Sequence, residues 1–215
     1  MAWPPALTLP RTLAAQRHAG LVQDGIVGPK TKQLLTAEGL RNDAGPSEAR
    51  YKSGTVTWTI LADTLPVYLE TAAVEAELAA AFGAWAGPTG LTFEHVAADA
   101  QVTISFVDHT ATNEFAFDGP GGALAKATAE AIAFDSSERW ELRGAPHRHR
   151  EVESGDAWWA EASVFQLHTV ALHEIGHVIG LSHSTEPGDI MSPYYFPGQL
   201  LSDADKAAAA AIVAS

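Results

Sequence analysis

The sequence predicts a mixed α/β (α+β) domain, because segments with the patterns of strands and of helices follow one another along the chain. Residues 55–61 and 101–107 alternate apolar with polar side chains, as half-buried strands do. Between these strands, residues 71–86 place apolar side chains at helical spacing among alanines, which indicates an amphipathic helix. The GPTG sequence directly after residue 86 is expected to end this helix.

The second half of the chain contains shorter strands and two further helices. Residues 115–138 include the strand-like pieces ALAKAT and AIAF beside a glycine-rich turn. Residues 162–179 are predicted to be helical, with Leu167 and Ile175 on the inner face. Residues 203–214, DADKAAAAAIVA, are predicted to form the last helix.

Composition excludes several classes of partner. The chain has 215 residues, 47% of them hydrophobic, and a formal net charge of −13. This charge argues against nucleic acid, whose binding requires a basic surface, and against an anionic membrane surface. No run of 18 apolar residues is present, so no transmembrane helix is predicted. The absence of cysteine rules out disulfides and thiolate zinc ligands. We expect a monomer.

A small helical unit is predicted within residues 1–45, with a polar linker to about residue 53 and a second domain at residues 54–215. Its sequence QRHAGLVQDGIVGPKTKQLL resembles the second half of a peptidoglycan-binding-like helical module. Binding of cell-wall glycan and a structural or inhibitory pro-segment role both remain open for this unit. The N-terminus lacks the basic and apolar regions of a secretory signal peptide.

The sequence HEIGHVIGLSH, residues 173–183, carries the strongest chemical signal. His173 and His177 are four residues apart, so on a helix their imidazoles project from the same face. Gly180 can adopt the left-handed conformation that ends a helix and reverses the chain. After that reversal His183 can approach the same point, while Glu174 lies beside it.

Three neutral imidazoles suit zinc and leave the fourth tetrahedral position open for water. Zinc lowers the pKa of such a water to about 7, and Glu174 is placed to take its proton as a general base. The alternative is that these are surface histidines on an ordinary helix. Gly180 and His183 argue against it, because a bare His-Glu-x-x-His is less specific than the extended spacing.

A second group of candidate ligands comes from the glycine-rich stretch. The carboxylates of Asp118, Asp135 and Glu138 are separated by the two strand-like pieces and can converge. Calcium takes six or more oxygens from carboxylates and backbone carbonyls, and a glycine-rich turn supplies carbonyls. Surface carboxylates at strand ends are the alternative, and composition alone favours it.

From residue 55 onward the chain resembles the catalytic domain of the matrixin branch of metzincins. The motifs WTI, AFGAW, ISF, FDGPGGALA, FDSSERW, HEIGHVIGLSH and DIMSPYY carry the resemblance, in that order. It implies a metzincin fold with a twisted, mostly parallel sheet, three helices and an active-site cleft over the zinc.

The resemblance also implies roles for individual residues. His173, His177 and His183 would bind the catalytic zinc, Glu174 would be the base, and Met191 would lie beneath the zinc as the Met-turn residue. Extended substrate would pair with the strand at Leu124 and Ala125. Pro193, Tyr194 and Tyr195 would line the pocket for the residue after the scissile bond.

For calcium, the resemblance supports a site formed by side chains and carbonyls together. The implied ligands are Asp118, Gly119, Gly121, Ala123, Asp135 and Glu138. The second, structural zinc of the family is not expected, because its ligand positions read here as Ala111, Asn113, Lys126 and Ala133. We therefore expect one catalytic Zn²⁺ and about one structural Ca²⁺.

The resemblance implies a zinc-dependent endopeptidase that hydrolyses peptide bonds in polypeptides. One alternative is a hydrolase of cell-wall peptides, guided to peptidoglycan by the N-terminal unit. Another is an inactive binding homologue, which is disfavoured because neither a zinc ligand nor the base is missing. An extracellular setting is expected, since millimolar calcium is available there to weak sites.

Overall fold

A computed structural model describes residues 49–215 apart from 109, 112–114, 118, 120–122, 144–163, 187 and 194. The predicted N-terminal unit lies outside the described residues, so the division into two domains stays a prediction. Within the described residues, the chain is mixed α/β, as the sequence predicts.

The main sheet has five strands in the described part of the chain. They are β1 (Thr55–Ile60), β2 (Thr92–His95), β3 (Val102–Val107), β4 (Ala125–Ala127) and β5 (Ala131–Asp135). Their order is β2-β1-β3-β5-β4, and every pair is parallel except β4 with β5. The expected mostly parallel sheet is therefore confirmed, with one antiparallel strand at its edge.

The alternation of buried and more exposed side chains along β1 and β3 decides which face of these strands packs on the helices. Trp58 and Ile60 of β1 are buried, and they pair in register with Val102 and Ile104 of β3. Ile104 in turn pairs with Ile132 of β5. Successive strand residues point to opposite faces, so this register brings the apolar side chains to one side of the sheet.

Three α-helices are present in the described residues: α1 (Thr71–Thr89), α2 (Leu167–Ile179) and α3 (Asp203–Ala214). Helix α1 continues past the predicted end at residue 86 and includes Pro88 in its last turn. Gly90, with φ +68°, ends the helix. Helix α2 begins at Leu167, later than predicted. None of these helices combines the length and apolar character needed to cross a membrane.

The start of α2 is set by a second, two-stranded sheet that the sequence patterns did not reveal. Strand β7 (Val164–Gln166) pairs in parallel with β6 (Arg139–Glu141). Residues 164–166 therefore form strand hydrogen bonds rather than a first helical turn. Helix α2 is buried along its whole length, and Trp85 Nε1 of α1 donates to its Leu172 carbonyl at 2.9 Å.

Candidate metal centre

The three histidines of the extended motif converge at the C-terminal end of α2. His177 Nε2 lies 3.0 Å from His173 Nε2 and 3.2 Å from His183 Nε2. Gly180, with φ +108°, ends the helix, and Leu181 N–H donates to the Gly176 carbonyl at 2.9 Å. Among the described residues, these histidines are the one group of three or more potential metal ligands that come together.

Hydrogen bonds on the opposite edge of two imidazoles fix their protonation. His173 Nδ1 lies 2.7 Å from the Ile190 carbonyl, and His177 Nδ1 lies 2.8 Å from the Leu181 carbonyl. A carbonyl only accepts, so each Nδ1 carries the proton and donates. Burial, with a smaller contribution from His183, lowers the pKa of His177 to about 4. Both Nε2 atoms therefore present lone pairs to the centre at neutral pH.

These nitrogens fit a tetrahedral zinc ion. With Zn–N distances of about 2.0–2.1 Å, two ligand nitrogens of a tetrahedron lie roughly 3.3 Å apart, close to the separations of His177 from its neighbours. Two lone pairs that face each other at 3.0 Å repel, and a cation between them removes that repulsion. A set of three imidazoles suits Zn²⁺ better than Mg²⁺ or Ca²⁺, which prefer oxygen.

Glu174 follows His173 on α2 and carries a buried carboxyl group. Its side chain is 0% exposed, and neither carboxylate oxygen has a hydrogen-bond partner among the described residues. Burial raises the pKa of Glu174 to about 8. An unpartnered buried carboxyl group is costly, so a cation and a water at this place would satisfy groups that the described residues leave unsatisfied.

Met191 packs against Gly176 of α2. A methyl group added at Gly176 would lie 2.2 Å from Met191 Sδ, closer than any contact allows. The side chain of Met191 is buried in the core. Gly176 therefore permits the thioether to lie directly against α2, a role that the motif reading did not assign to it.

Asp205 of α3 is a second residue that sequence reasoning missed. Its carboxylate accepts from Ile190 N–H at 2.7 Å, from Met191 N–H at 3.2 Å and from Ser202 N–H at 2.8 Å. Ser202 and Asp205 form a capping box at the start of α3. The Ser-x-x-Asp spacing signals that box, but no local pattern signals the contacts to Ile190 and Met191.

The residues expected to line the substrate pocket follow Met191. Pro193 is half-buried, and Tyr194 lies outside the described residues. Tyr195 packs edge-to-face on Phe165 with ring centroids 5.2 Å apart. Its hydroxyl accepts from Gln166 N–H at 2.9 Å, and burial raises the pKa of Tyr195 to about 12.

The expected substrate-pairing residues lie at the edge of the main sheet. Ala125 begins β4, the outermost strand, and Leu124 directly precedes it. Both side chains are buried, and the Leu124 carbonyl accepts from Asp135 N–H at 2.9 Å. One side of β4 thus faces the neighbouring strand, and the other is the sheet edge.

Only some of the predicted calcium ligands lie within the described residues. Asp118 and Gly121 lie outside it, while Gly119, with φ +89°, and Ala123 lie inside. Asp135 and Glu138 are both buried at the end of β5, where Asp135 Oδ1 accepts from Ser137 N–H and Oγ at 2.8 and 2.6 Å. The calcium site stays a prediction.

Lys126, at one of the ligand positions of the family's structural zinc, makes contacts typical of a cation rather than of a metal ligand. Its ammonium donates to the Ala116 carbonyl and lies 5.1 Å from the centre of the Phe117 ring. Ala111 and Ala133 carry no donor atom in their side chains, and Asn113 lies outside the described residues. The single Zn²⁺ of the sequence analysis remains an expectation.

A surface pocket of about 470 Å³ lies apart from these groups. It is lined by Arg50, Tyr51, Ala100, Gln101, Thr103, Glu130 and Ala131. None of the candidate site residues belongs to this lining, and its charged pair, Arg50 with Glu130, is exposed. The convergent imidazoles therefore mark the candidate site.

Comparison with known proteins agrees with this geometry. Residues 50–212 match the family described as Matrixin. Matrix metalloproteinase-25 of Mus musculus is 30% identical over 204 residues, which cover 84% of this chain and 31% of the relative. Matrix metalloproteinase-20 of Homo sapiens is 32% identical over 151 residues, covering 70% and 28%. The interstitial collagenase of Equus caballus is 36% identical over 129 residues, covering 60% and 25%.

The family match includes all three convergent histidines, Glu174 and Met191. The chain spans about three-tenths of the length of the curated relatives it matches. The similarity therefore concerns the folded unit that carries the metal centre, and that unit makes this chain a member of the matrixin family.

Proposed function

We propose that this chain is a zinc-dependent endopeptidase that hydrolyses peptide bonds in polypeptides. The observation that carries the proposal is the convergence of three imidazole nitrogens at the end of α2, a helix that also carries the fully buried Glu174, whose oxygens have no hydrogen-bond partner among the described residues. Membership of the matrixin family supports the same reading.

In this proposal His173, His177 and His183 hold the zinc ion. The bound ion would act as a Lewis acid that polarises the scissile carbonyl and acidifies water. The Ile190 and Leu181 carbonyls orient two of the imidazoles by accepting their Nδ1 protons.

Glu174 moves the proton. Its carboxylate takes a proton from the attacking water and then delivers it to the nitrogen of the departing amine. Glu174 has no alternative partner in the described residues to compete for that proton.

The substrate would lie in an extended conformation along the edge strand, next to Leu124 and Ala125. Backbone hydrogen bonds at a sheet edge bind a peptide independently of its side chains. The aromatic, uncharged residues Tyr194 and Tyr195 favour an apolar side chain just after the scissile bond. Pro193 belongs to the same wall.

For the remaining metal, we propose one structural Ca²⁺ held by the carboxylates of Asp118, Asp135 and Glu138, with carbonyls of the glycine-rich turn. The burial of Asp135 and Glu138 at one end of β5 supports this assignment. A weak calcium site favours an extracellular setting.

The function is tested by cleavage of a peptide library with the full chain and with Glu174→Ala, each with and without a zinc chelator. We expect cleavage that the chelator abolishes and that the variant loses at unchanged zinc content. A Glu94→Ala variant serves as control, because it removes an exposed carboxylate on β2, at the edge of the main sheet opposite to β4.

If the full chain does not cut, the library is repeated after removal of residues 1–50. A zinc-loaded, folded chain of residues 51–215 that cuts no peptide would refute the endopeptidase function. Cleavage that persists in Glu174→Ala would refute the role of Glu174 while leaving the metal centre in place.

A further inference from the structure

Gln166 joins the start of α2 to the chain that follows Met191. Its Oε1 accepts from Gly198 N–H at 2.6 Å and from Thr169 Oγ1 at 3.2 Å. Its own N–H donates to the Tyr195 hydroxyl at 2.9 Å. One half-buried glutamine therefore binds two separate points of the downstream chain.

That downstream chain, residues 189–199 apart from 194, is here called the wall segment. Near its start, the Ile190 carbonyl accepts from His173, and the N–H groups of Ile190 and Met191 donate to Asp205. The beginning of the wall segment is thus fixed to a proposed zinc ligand. At its far end, Gln199 Nε2 donates to the Asp189 carbonyl at 2.7 Å, which closes the segment into a loop.

The contacts of Gln166 set the distance between this loop and α2. Gln166 precedes His173 by seven residues, about 10 Å along a helix, so the wall segment is fixed to α2 near both ends of that span. Between the two fixed points lies Tyr195, whose ring packs on Phe165 and whose hydroxyl is held by Gln166. The Tyr195 contact uses the backbone N–H of Gln166, so loss of the Gln166 side chain would release the wall at Gly198 while leaving the contacts at Tyr195 and His173 in place.

We propose that Gln166 is a positioning residue that determines specificity for the side chain following the scissile bond. This inference rests on the proposed endopeptidase function. The Gln166 side chain reaches substrate only through Gly198 and the wall segment, so its effect depends on the size of the substrate side chain. A bulky side chain needs a wall at a fixed distance, whereas alanine makes few contacts with it.

The residue type at position 166 matters because the side chain must accept two hydrogen bonds. Gly198, with φ +75°, presents its N–H in a backbone conformation that other residues rarely adopt. A glutamate keeps an oxygen in the place of Oε1 and can accept from Gly198 and Thr169, but an alanine cannot. Gln166→Glu is therefore the conservative variant and Gln166→Ala the disruptive one.

The test measures kcat/KM of the full chain on paired peptides that differ only in leucine or alanine after the scissile bond. For Gln166→Ala we expect the leucine-to-alanine preference to fall about three- to tenfold, the effect of one or two net hydrogen bonds. Gln166→Glu should restore the wild-type preference. Zinc content, measured by mass spectrometry, should be equal in all variants.

Gln101→Ala is the matched control. Gln101 Oε1 also accepts a backbone N–H, that of Thr57 at 2.9 Å, but it lies in the β1–β3 part of the sheet. Its removal should leave the preference unchanged.

An unchanged preference in Gln166→Ala, or an equal loss for both peptides, would overturn the inference. If Gln166→Ala does not fold, Gln166→Met decides: it keeps the length of the side chain but removes the oxygen that accepts from Gly198, and an unchanged preference there overturns the inference as well. Failure of the proposed function would instead appear as absence of Glu174-dependent cleavage by the wild-type chain.

Discussion

Asp205→Ala should destabilise the protein and weaken its metal centre together. Asp205 is 3% exposed, and its carboxylate accepts from three backbone N–H groups, those of Ile190, Met191 and Ser202. The substitution leaves the two buried N–H groups of Ile190 and Met191 without an acceptor and removes half of the capping box of α3.

The size of the effect follows from these bonds. A buried N–H without an acceptor costs about 1–3 kcal/mol, and loss of a cap costs about 1 kcal/mol. We therefore expect the free energy of unfolding to fall by about 3–7 kcal/mol, a large part of the stability of a small domain. Because the Ile190 carbonyl orients His173, zinc affinity should fall about tenfold as well.

Chemical denaturation of the zinc-loaded protein and competition with a zinc chelator measure the two effects. Asp203→Ala is the matched control, since Asp203 begins the same helix but is exposed, with only a surface ion pair to Lys206 at 3.2 Å. It should lose less than about 1 kcal/mol. A similar loss in both variants, or unchanged zinc affinity in Asp205→Ala, would refute the argument that Asp205 supports the centre through Ile190.

Two further predictions concern packing and pH. Gly176→Ala should lower the free energy of unfolding by about 1–3 kcal/mol, because the added methyl meets Met191 Sδ. Gly83 lies on the exposed face of α1 with open space around it, so Gly83→Ala should be neutral or stabilising in the same denaturation assay. Equal effects of the two substitutions would contradict this prediction. Burial, reinforced by the charge of Arg143, lowers the pKa of His168 below 6.5. The unfolded chain therefore binds a proton at higher pH than the native one, so stability is full above pH 6.5 and declines below it. When denaturation is measured across pH 5–8, the free energy of unfolding of His168→Gln should decline less steeply with falling pH than that of the wild-type chain. An identical decline would exclude His168 as a source of this pH dependence.

Interactions between near neighbours in the chain made much of the fold predictable. The strands at residues 55–60 and 102–107 follow from alternation, and α3 (Asp203–Ala214) follows from its alanine-rich sequence and capping residues. These patterns act through local backbone geometry, which the residues specify themselves. The pairing of β6 with β7 has no such pattern, so the start of α2 was predicted too early.

The candidate site also has a part that the sequence determined and a part that only the tertiary structure determined. Spacing alone determined that His173, His177 and His183 can meet, because four residues make about one helical turn and Gly180 permits the reversal after it. Tertiary structure decided what supports them: Asp205 holds the segment after the third histidine, and Gln166 holds the wall segment. These contacts join residues 14 to 32 positions apart, and loop closure over such distances depends on the packing of whole elements rather than on any local sequence.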